Sequence, residues 1–157
     1  MDRTLIKDTI NKVGGKVKIQ GFVHLVRAHG KIAFAYVTDR SGILQVVGDG
    51  KIADLKPQYA VEIQGSVNAR PDKMVNDKIE TGKVEVFADS VKVLAKSDEM
   101  PFDMGMEELN LELPTLLDYR TLVLRHPKIK EIFKVQADIL EGFRNSAKEL
   151  GCTEITV

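Results

Sequence analysis

Two aromatic rings alternate with small residues in one stretch of the chain, and their placement indicates a surface on which flat ligands stack. Ala33, Ala35 and Val37 point to one side of a predicted strand, because side chains alternate along an extended chain. Phe34 and Tyr36 then point to the other side. Small residues suit the interior of a small closed barrel, where space is short. The two rings are therefore expected outside, where a flat ring has little purpose unless a ligand stacks on it.

Other kinds of site lack the residues that they need. The histidines His24, His29 and His126 have no cysteine or carboxylate at the spacing of metal ligands, so no metal site is expected. The single cysteine, Cys152, excludes a disulfide within the chain and is expected to be a small buried residue. No glycine-rich loop of the G-x-x-x-x-G-K type is present to hold a phosphate. Binding through a surface is the chemistry that the sequence favours.

Five predicted strands position the rings. The first three follow one another through glycine-containing turns, and a short helical break separates them from the last two. The predicted strands are Val17–Arg27, Ile32–Thr38, Ile43–Val47, Tyr59–Ala69 and Lys83–Ala95, with a bulge or bend at Asp89-Ser90, and the predicted short helices are Thr4–Lys12 and Lys51–Leu55. This order matches the OB-fold, a five-stranded barrel that binds oligonucleotides or oligosaccharides on strands 2 and 3. Phe34 and Gln45 lie on those strands. The alternative is a small β-barrel with surface aromatics and no nucleic-acid role.

After the barrel, the sequence predicts an acidic linker. Pro101 and Pro114 are expected to keep the stretch up to residue 117 extended. Asp118 is expected to cap one or two helical turns that follow. We interpret the acidic run as a solvated connector.

A long helix is predicted next. It opens at Pro127, runs to about Leu150 with one apolar stripe, and stops at Gly151. Residues 153–157 then predict the start of a strand. A strand without a partner and a stripe with little to cover it indicate a chain cut inside its second domain, or a second copy that covers the stripe.

The fold class expected from these elements is mainly β with α. We expect an OB-fold domain in residues 1–96, a hinge in 97–126 and the start of a second domain in 127–157. The first 96 residues hold 16 Lys and Arg against 11 Asp and Glu, and the remaining 61 hold 7 against 12. The barrel is therefore the candidate for binding a polyanion. No signal peptide or membrane span is predicted, so a cytoplasmic location is expected.

The barrel sequence resembles a known family. The stretch GFVHLVRAHGKIAFAYVTDRSGILQVV resembles the anticodon-binding barrel of class IIb aminoacyl-tRNA synthetases, most like the aspartyl members, and TGKVEVFADSVKVL resembles the fifth strand of that barrel. The matching positions of the first stretch are Gly21, Phe22, Val23, Arg27, Gly30, Phe34, Asp39, Gly42 and Gln45. Phe22 departs from the pattern, since the family usually has Trp there. The segment from Leu113 resembles the family's hinge and motif 1, the start of an α+β catalytic domain that is truncated here.

The resemblance implies roles in reading an anticodon. Phe34 would stack on the central uridine, and Gln45 would bond an edge of the same base, since an amide both donates and accepts. Arg27 would lie near the loop backbone and the first anticodon base. Glu85 would lie near the last anticodon base, where a carboxylate accepts from a cytosine amine.

Three further residues follow from the same resemblance. Asn76 and Arg70 lie in the excursion between strands 4 and 5, which flanks the anticodon loop. His29 matches a histidine of enzymes that accept both aspartate and asparagine tRNAs. Plain alternatives remain: strand-surface residues for Gln45 and Glu85, and a solvated turn for His29.

The resemblance also implies the parent activity. Such an enzyme is an aspartate–tRNA ligase, which activates aspartate with ATP and Mg²⁺, transfers it to aspartate tRNA and forms a homodimer through the 127–157 segment. No cofactor and no catalytic residue are expected in this fragment, because the motifs that bind ATP and the amino acid have no counterpart here. The alternatives are an asparaginyl or lysyl relative, and a stand-alone single-strand-binding barrel with no enzymatic parent.

Overall fold

Five runs of alternating apolar residues pair into strands that close a barrel. The strands are β1 (Lys16–His29), β2 (Ile32–Asp39), β3 (Gly42–Gly48), β4 (Ala60–Ala69) and β5 (Val84–Ala95). Their order around the barrel is β1-β2-β3-β5-β4. All neighbouring strands are antiparallel except β3 and β5, which run parallel. The predicted five-stranded barrel is thereby confirmed.

The structure, a computed structural model, describes residues 1–106 and 108–155. The chain divides into two compact units, Met1–Gly105 and Met106–Val157. The first unit holds the barrel, the short helix α1 (Gly50–Ala53) and two 3₁₀ turns, Ile6–Asn11 and Asp72–Met74. The first of these turns replaces the predicted helix Thr4–Lys12 with a shorter and tighter one.

The barrel interior is filled by aliphatic side chains. Ala33, Ala35 and Val37 of β2 are buried there, as the alternation predicted. Phe34 and Tyr36 lie on the outer face and are half-buried. The same alternation buries Ile19, Val23, Leu44, Val46, Ile63, Val67, Val84 and Val86 from the other strands. A closed barrel leaves no free strand edge in this sheet.

A bulge in β5 meets a glycine in β4. The register shifts between Gln64 and Gly65, which pair with Ser90 and Ala88 and leave Asp89 as the extra residue. A β-carbon on Gly65 would lie 2.1 Å from the carbonyl oxygen of Phe87, so only glycine fits there. The predicted bulge at Asp89-Ser90 is therefore confirmed.

The two hairpin turns are closed in different ways. Gly30 in the first turn has φ +63°, the left-handed conformation that favours glycine. Gly42 in the second turn does not adopt the left-handed conformation. That turn is closed by the Asp39 carboxylate. Its oxygen Oδ1 accepts from the Ser41 main-chain N–H at 2.7 Å, and Oδ2 accepts from the Ile6 N–H at 3.1 Å.

The described residues of the second unit form three helices: α2 (Leu113–Asp118), α3 (Arg120–Val123) and α4 (Pro127–Glu149). The prediction that Asp118 caps a helix is wrong, since Asp118 is the last residue of α2. Pro114 does not extend the chain but sits in the first turn of α2, where its fixed φ suits a helix start. The Arg120 guanidinium lies over the Phe133 ring, 5.2 Å from its centroid, and ties α3 to α4.

The long helix matches the prediction, but the segment after it does not. Gly151, with φ +77°, follows the end of α4 and stops the helix as expected. No strand forms in residues 152–155, and the rest of the predicted strand, residues 156–157, lies outside the described residues. Cys152 is exposed, so the prediction of a buried residue is wrong.

The apolar stripe of α4 is exposed to solvent. Phe143 at its centre is 73% exposed, and the exposed apolar residues around it are Ile132, Val135, Ile139, Leu140 and Leu150. Within the described residues, no helix is long and apolar enough to cross a lipid bilayer.

Candidate nucleic-acid interface

Strand register sorts the outward residues of the barrel into two parallel rows. Residues that pair across neighbouring strands point to the same face. One row runs over β1, β2, β3 and β5; we call it the phenylalanine row, and it comprises Arg27, Phe34, Val47 and Phe87. The next runs over β2, β3, β5 and β4; we call it the carboxylate row, and it comprises Tyr36, Gln45, Glu85 and Asn68. The two rows lie side by side, because their members are two residues apart on each shared strand.

Three predicted site residues meet at one carboxylate oxygen. Gln45 Nε2 donates to Glu85 Oε2 at 2.8 Å. Arg70 Nε lies 3.9 Å from the same oxygen. Gln45 is only 7% exposed, and the Arg70 and Glu85 side chains are 10% and 12% exposed. The parallel pairing of β3 with β5 sets Gln45 beside Glu85, and Arg70 directly follows β4.

The Arg70 guanidinium is not fully satisfied. Its Nε and Nη1 atoms are buried and have no hydrogen-bond partner among the residues that the structure describes. A buried donor without an acceptor costs about 1–3 kcal/mol, and more when the group is charged. The guanidinium would therefore be stabilised by a further acceptor, such as one on a ligand.

The excursion between β4 and β5, residues 70–83, is fastened against β3. The Thr81 hydroxyl is buried and donates to the main-chain carbonyl of Ile43. Asn76 shapes a turn inside the excursion, since its Oδ1 accepts from Lys78 N–H and its own N–H donates to the Gly82 carbonyl, both at 3.1 Å. The described contacts of Asn76 are thus local, and none of them joins the Glu85 cluster. Its role with RNA stays a prediction.

The remaining predicted residues lie on the same face. Arg27 pairs directly with Phe34, and His29 pairs with Ile32 at the end of the β1–β2 hairpin. Both Arg27 and His29 are exposed. Across residues 1–106 and 108–155, Arg27 forms no ion pair, so a neighbouring carboxylate does not explain its position.

Phe87 is a candidate that the sequence reasoning missed. Its side chain is 45% exposed and points outward beside Val47 of the phenylalanine row. The signal was present in the alternation of β5: Val84 and Val86 face the core, so Glu85 and Phe87 share the outer face.

Another outward carboxylate, Glu62, lies away from both rows. The Gln20 side chain donates to it at 2.6 Å, and this bond is the main cause that lowers its pKa, with Lys18 and Lys92 adding to the effect. Glu62 is therefore held as an anion by its own neighbours, and its surroundings account for it without a ligand.

A cavity of about 580 Å³ in the first unit is separate from the rows. It is lined from the barrel by His24, Lys56, Pro57 and Tyr59, and otherwise by residues between Ser97 and Gly105. None of the predicted site residues lines it. The face that carries the two rows, on which Arg27 is exposed and Phe34 is half-buried, is the better candidate for binding a strand of nucleic acid.

Comparison with known proteins indicates the type of domain. Residues 17–94 match the model of a tRNA anticodon family described as an OB-fold nucleic acid binding domain. The chain is 34% identical over 151 residues to an aspartate–tRNA(Asp/Asn) ligase of Bifidobacterium longum, an alignment that covers 91% of this chain and 25% of the relative. The chain thus spans about a quarter of the length of the curated relatives that it matches.

Solved structures show the same fold. Aspartyl-tRNA synthetase from Entamoeba histolytica superposes with a TM-score of 0.87 at 18% identity, over all of this chain and 39% of that one. Asparaginyl-tRNA synthetase from Pyrococcus horikoshii superposes with a TM-score of 0.78 at 23% identity, over 99% of this chain and 36% of that one. At these identities the likeness concerns the fold alone.

Proposed function

We propose that this barrel, whose residues 17–94 match the model of an OB-fold nucleic acid binding domain of the tRNA anticodon type, holds the anticodon loop of a tRNA. The observation that carries the proposal is the Gln45–Glu85–Arg70 cluster beside the half-buried Phe34 ring. Unpaired RNA bases are recognised by stacking on aromatic side chains while polar groups bond their edges. The two rows offer both kinds of contact on one face.

Gln45 and Glu85 of the cluster are proposed to contact different bases. The bond from Gln45 Nε2 to Glu85 fixes the carboxamide and leaves its second N–H and its carbonyl oxygen for a base. A uridine edge offers a matching acceptor and donor. Glu85 accepts from an exocyclic amine, as on cytosine. Arg27, next to Phe34, contributes charge to the phosphates, which agrees with the basic balance of the barrel.

The whole protein is proposed to be an aspartate–tRNA ligase, because this chain aligns with about a quarter of such a relative. It would activate aspartate with ATP and Mg²⁺ outside the barrel, and it would act in the cytoplasm. The functional division proposed is an anticodon-binding domain in 1–96, a hinge in 97–126 and the start of the catalytic domain in 127–157. The relative is named as a ligase for both aspartate and asparagine tRNAs, and this name supports asparagine tRNA as a second partner. His29 is the residue proposed to contact the base that differs between the two tRNAs.

An asparaginyl relative is the second candidate. The fold likeness to asparaginyl-tRNA synthetase supports it, but the 34% sequence identity to an aspartate–tRNA ligase favours the aspartyl assignment. Charging assays on the full-length protein with aspartate and asparagine in parallel distinguish the two.

The Phe34 ring provides the direct test. We expect Phe34→Ala to weaken binding of aspartate tRNA about tenfold or more, because stacking on an aromatic ring contributes about 1–3 kcal/mol per base. Binding is measured by filter titration at a fixed salt concentration, since phosphate contacts make the affinity salt-dependent.

The matched control is Leu94→Ala, which removes an exposed apolar side chain near the end of β5. It is expected to bind like the unmodified chain. Unchanged affinity of a folded Phe34→Ala variant would contradict the proposal.

A further inference from the structure

Phe87 is the second aromatic residue of the phenylalanine row. It pairs with Val47 of β3 on one side and Ser66 of β4 on the other, and nearly half of its side chain is exposed. Its neighbour Val47 is 5% exposed and lies between the two phenylalanine positions of the row. Phe34, Val47 and Phe87 thus form a continuous apolar strip with a ring at each end.

The spacing of the strip keeps the two rings from serving as one platform. Neighbouring strands lie about 4.8 Å apart, so the positions of Phe34 and Phe87, two strands apart, are separated by roughly 10 Å. Stacked or edge-to-face aromatic pairs need centroids about 4.5–7 Å apart. Each ring is therefore placed to offer its own face to a ligand.

Each ring also has its own polar partner in the adjoining row. Gln45 lies diagonally across from Phe34, because it pairs with Tyr36, two residues along β2. Glu85 stands two residues before Phe87 on the same face of β5. An aromatic ring therefore lies beside a polar group that can hydrogen-bond a base edge in two places, Phe34 with Gln45 and Phe87 with Glu85.

We propose that Phe87 is a second stacking platform, so that the barrel holds two unpaired bases of one RNA loop, one on Phe34 and one on Phe87. The proposal rests on the anticodon-binding function and deepens it. The base on Phe87 presents its edge to Glu85, whose carboxylate accepts hydrogen bonds and has none to donate. That base therefore carries an exocyclic amine, and Phe87 helps to select it by holding its edge against Glu85.

The test couples each ring to a loop position. The probe is the anticodon stem-loop of aspartate tRNA, made intact and with each loop base in turn replaced by an abasic residue. Affinities are measured for the unmodified chain, Phe34→Leu and Phe87→Leu. We expect Phe87→Leu to weaken binding of the intact loop about fivefold or more. For the loop that lacks the base stacked on Phe87, Phe87→Leu should no longer weaken binding. Phe34→Leu should lose its effect with a different abasic loop.

Two further variants keep the result interpretable. Phe87→Trp retains a ring and is expected to bind within about twofold of the unmodified chain, even if Phe87→Leu lowers barrel stability. Leu94→Ala removes a side chain of similar exposure from the same strand and is expected to change nothing.

The outcomes separate the two proposals. If Phe34→Leu weakens binding but Phe87→Leu does not, or if the Phe87→Leu loss is equal for every abasic loop, the second platform is wrong and the anticodon-binding function stands. If the unmodified chain does not bind the intact stem-loop, the anticodon-binding function fails and this inference fails with it.

Discussion

Glu85 Oε2 is the atom on which the candidate site converges. Gln45 donates to it, and the Arg70 guanidinium approaches it to 3.9 Å. Because both contacts use Oε2, Oε1 is the oxygen that neither of them occupies, and it is the one through which Glu85 can accept from a base. A lysine would not replace Arg70 here, since a guanidinium offers several donors in a fixed plane and an ammonium does not.

His29 carries the residue-scale prediction. It lies exposed at the end of the β1–β2 hairpin, on the same side as Arg27 and Phe34. A neutral imidazole has one donor and one acceptor, so it can bond either pyrimidine at the last anticodon position, where the aspartate and asparagine tRNAs differ. We expect the unmodified chain to bind both anticodon stem-loops, and the aspartate loop more tightly, because Glu85 accepts from an exocyclic amine that cytosine has and uracil lacks.

The variant His29→Leu is expected to change the ratio of those two affinities by about threefold or more, since one hydrogen bond contributes about 0.5–1.5 kcal/mol. Competition binding with both stem-loops in one mixture measures the ratio directly. Lys31→Leu in the same turn is the control for a general effect of placing leucine in this turn. A ratio that His29→Leu leaves unchanged argues for a solvated turn histidine.

At the scale of elements, the 70–83 excursion holds one wall of the site in place. Its base is closed by the Arg70 N–H, which donates to the Lys83 carbonyl at 2.9 Å, and its C-terminal part is fastened to β3 through Thr81. Arg70 therefore reaches Glu85 from a segment that is pinned at both ends. The position of the guanidinium depends on the excursion as a whole.

Gly82 tests that dependence. A β-carbon at Gly82 would lie 1.8 Å from the carbonyl oxygen of Asn76, so Gly82→Ala must displace the turn. We expect a loss of about 1–3 kcal/mol in the free energy of unfolding, the usual cost of an extra carbon in a packed position. Denaturant titration followed by circular dichroism measures it.

Gly50→Ala is the matched control for this change. A β-carbon there meets nothing within 4 Å, and Gly50 opens the helix α1, where alanine is favourable. It is expected to leave stability unchanged or to raise it slightly. Equal effects of the two substitutions would mean that the Gly82 turn relaxes without cost.

Strands with a strong alternation of apolar and polar residues could be predicted from the sequence. Helix starts at which two residues compete for the first position could not. β2 follows from its pattern because burial on one face decides it. Asp118 was predicted to open a helix, yet Pro114 opens one earlier, and the helix-start preference of proline prevails. The face that carries Phe34 followed from alternation. The contact between Gln45 and Glu85 did not, because it exists only through the parallel pairing of β3 with β5.

At the scale of the whole molecule, the exposed stripe of α4 is the feature that a partner must cover. A stripe of large apolar side chains is costly to leave in water, and exposed patches of this kind mark interaction surfaces. We propose that a second copy covers it in the full-length protein. We expect this chain to self-associate in a concentration-dependent way in sedimentation equilibrium.

The substitution Phe143→Ser is expected to shift this association toward the monomer by about tenfold or more, since burying such a side chain contributes about 1.5–3 kcal/mol. Asn145→Ser, on the opposite side of α4, is the control and should associate like the unmodified chain. A chain that stays monomeric at every concentration would exclude self-association through this stripe.

The parallel pairing of β3 with β5 has a consequence for synthesis on the ribosome. Gln45 and Glu85 are 40 residues apart in the chain, and they become neighbours only when the last strand closes the barrel. Contacts of such long sequence separation form late in folding. A nascent chain that has not yet released β5 therefore has the aromatic strand β2 but not the contact between Gln45 and Glu85.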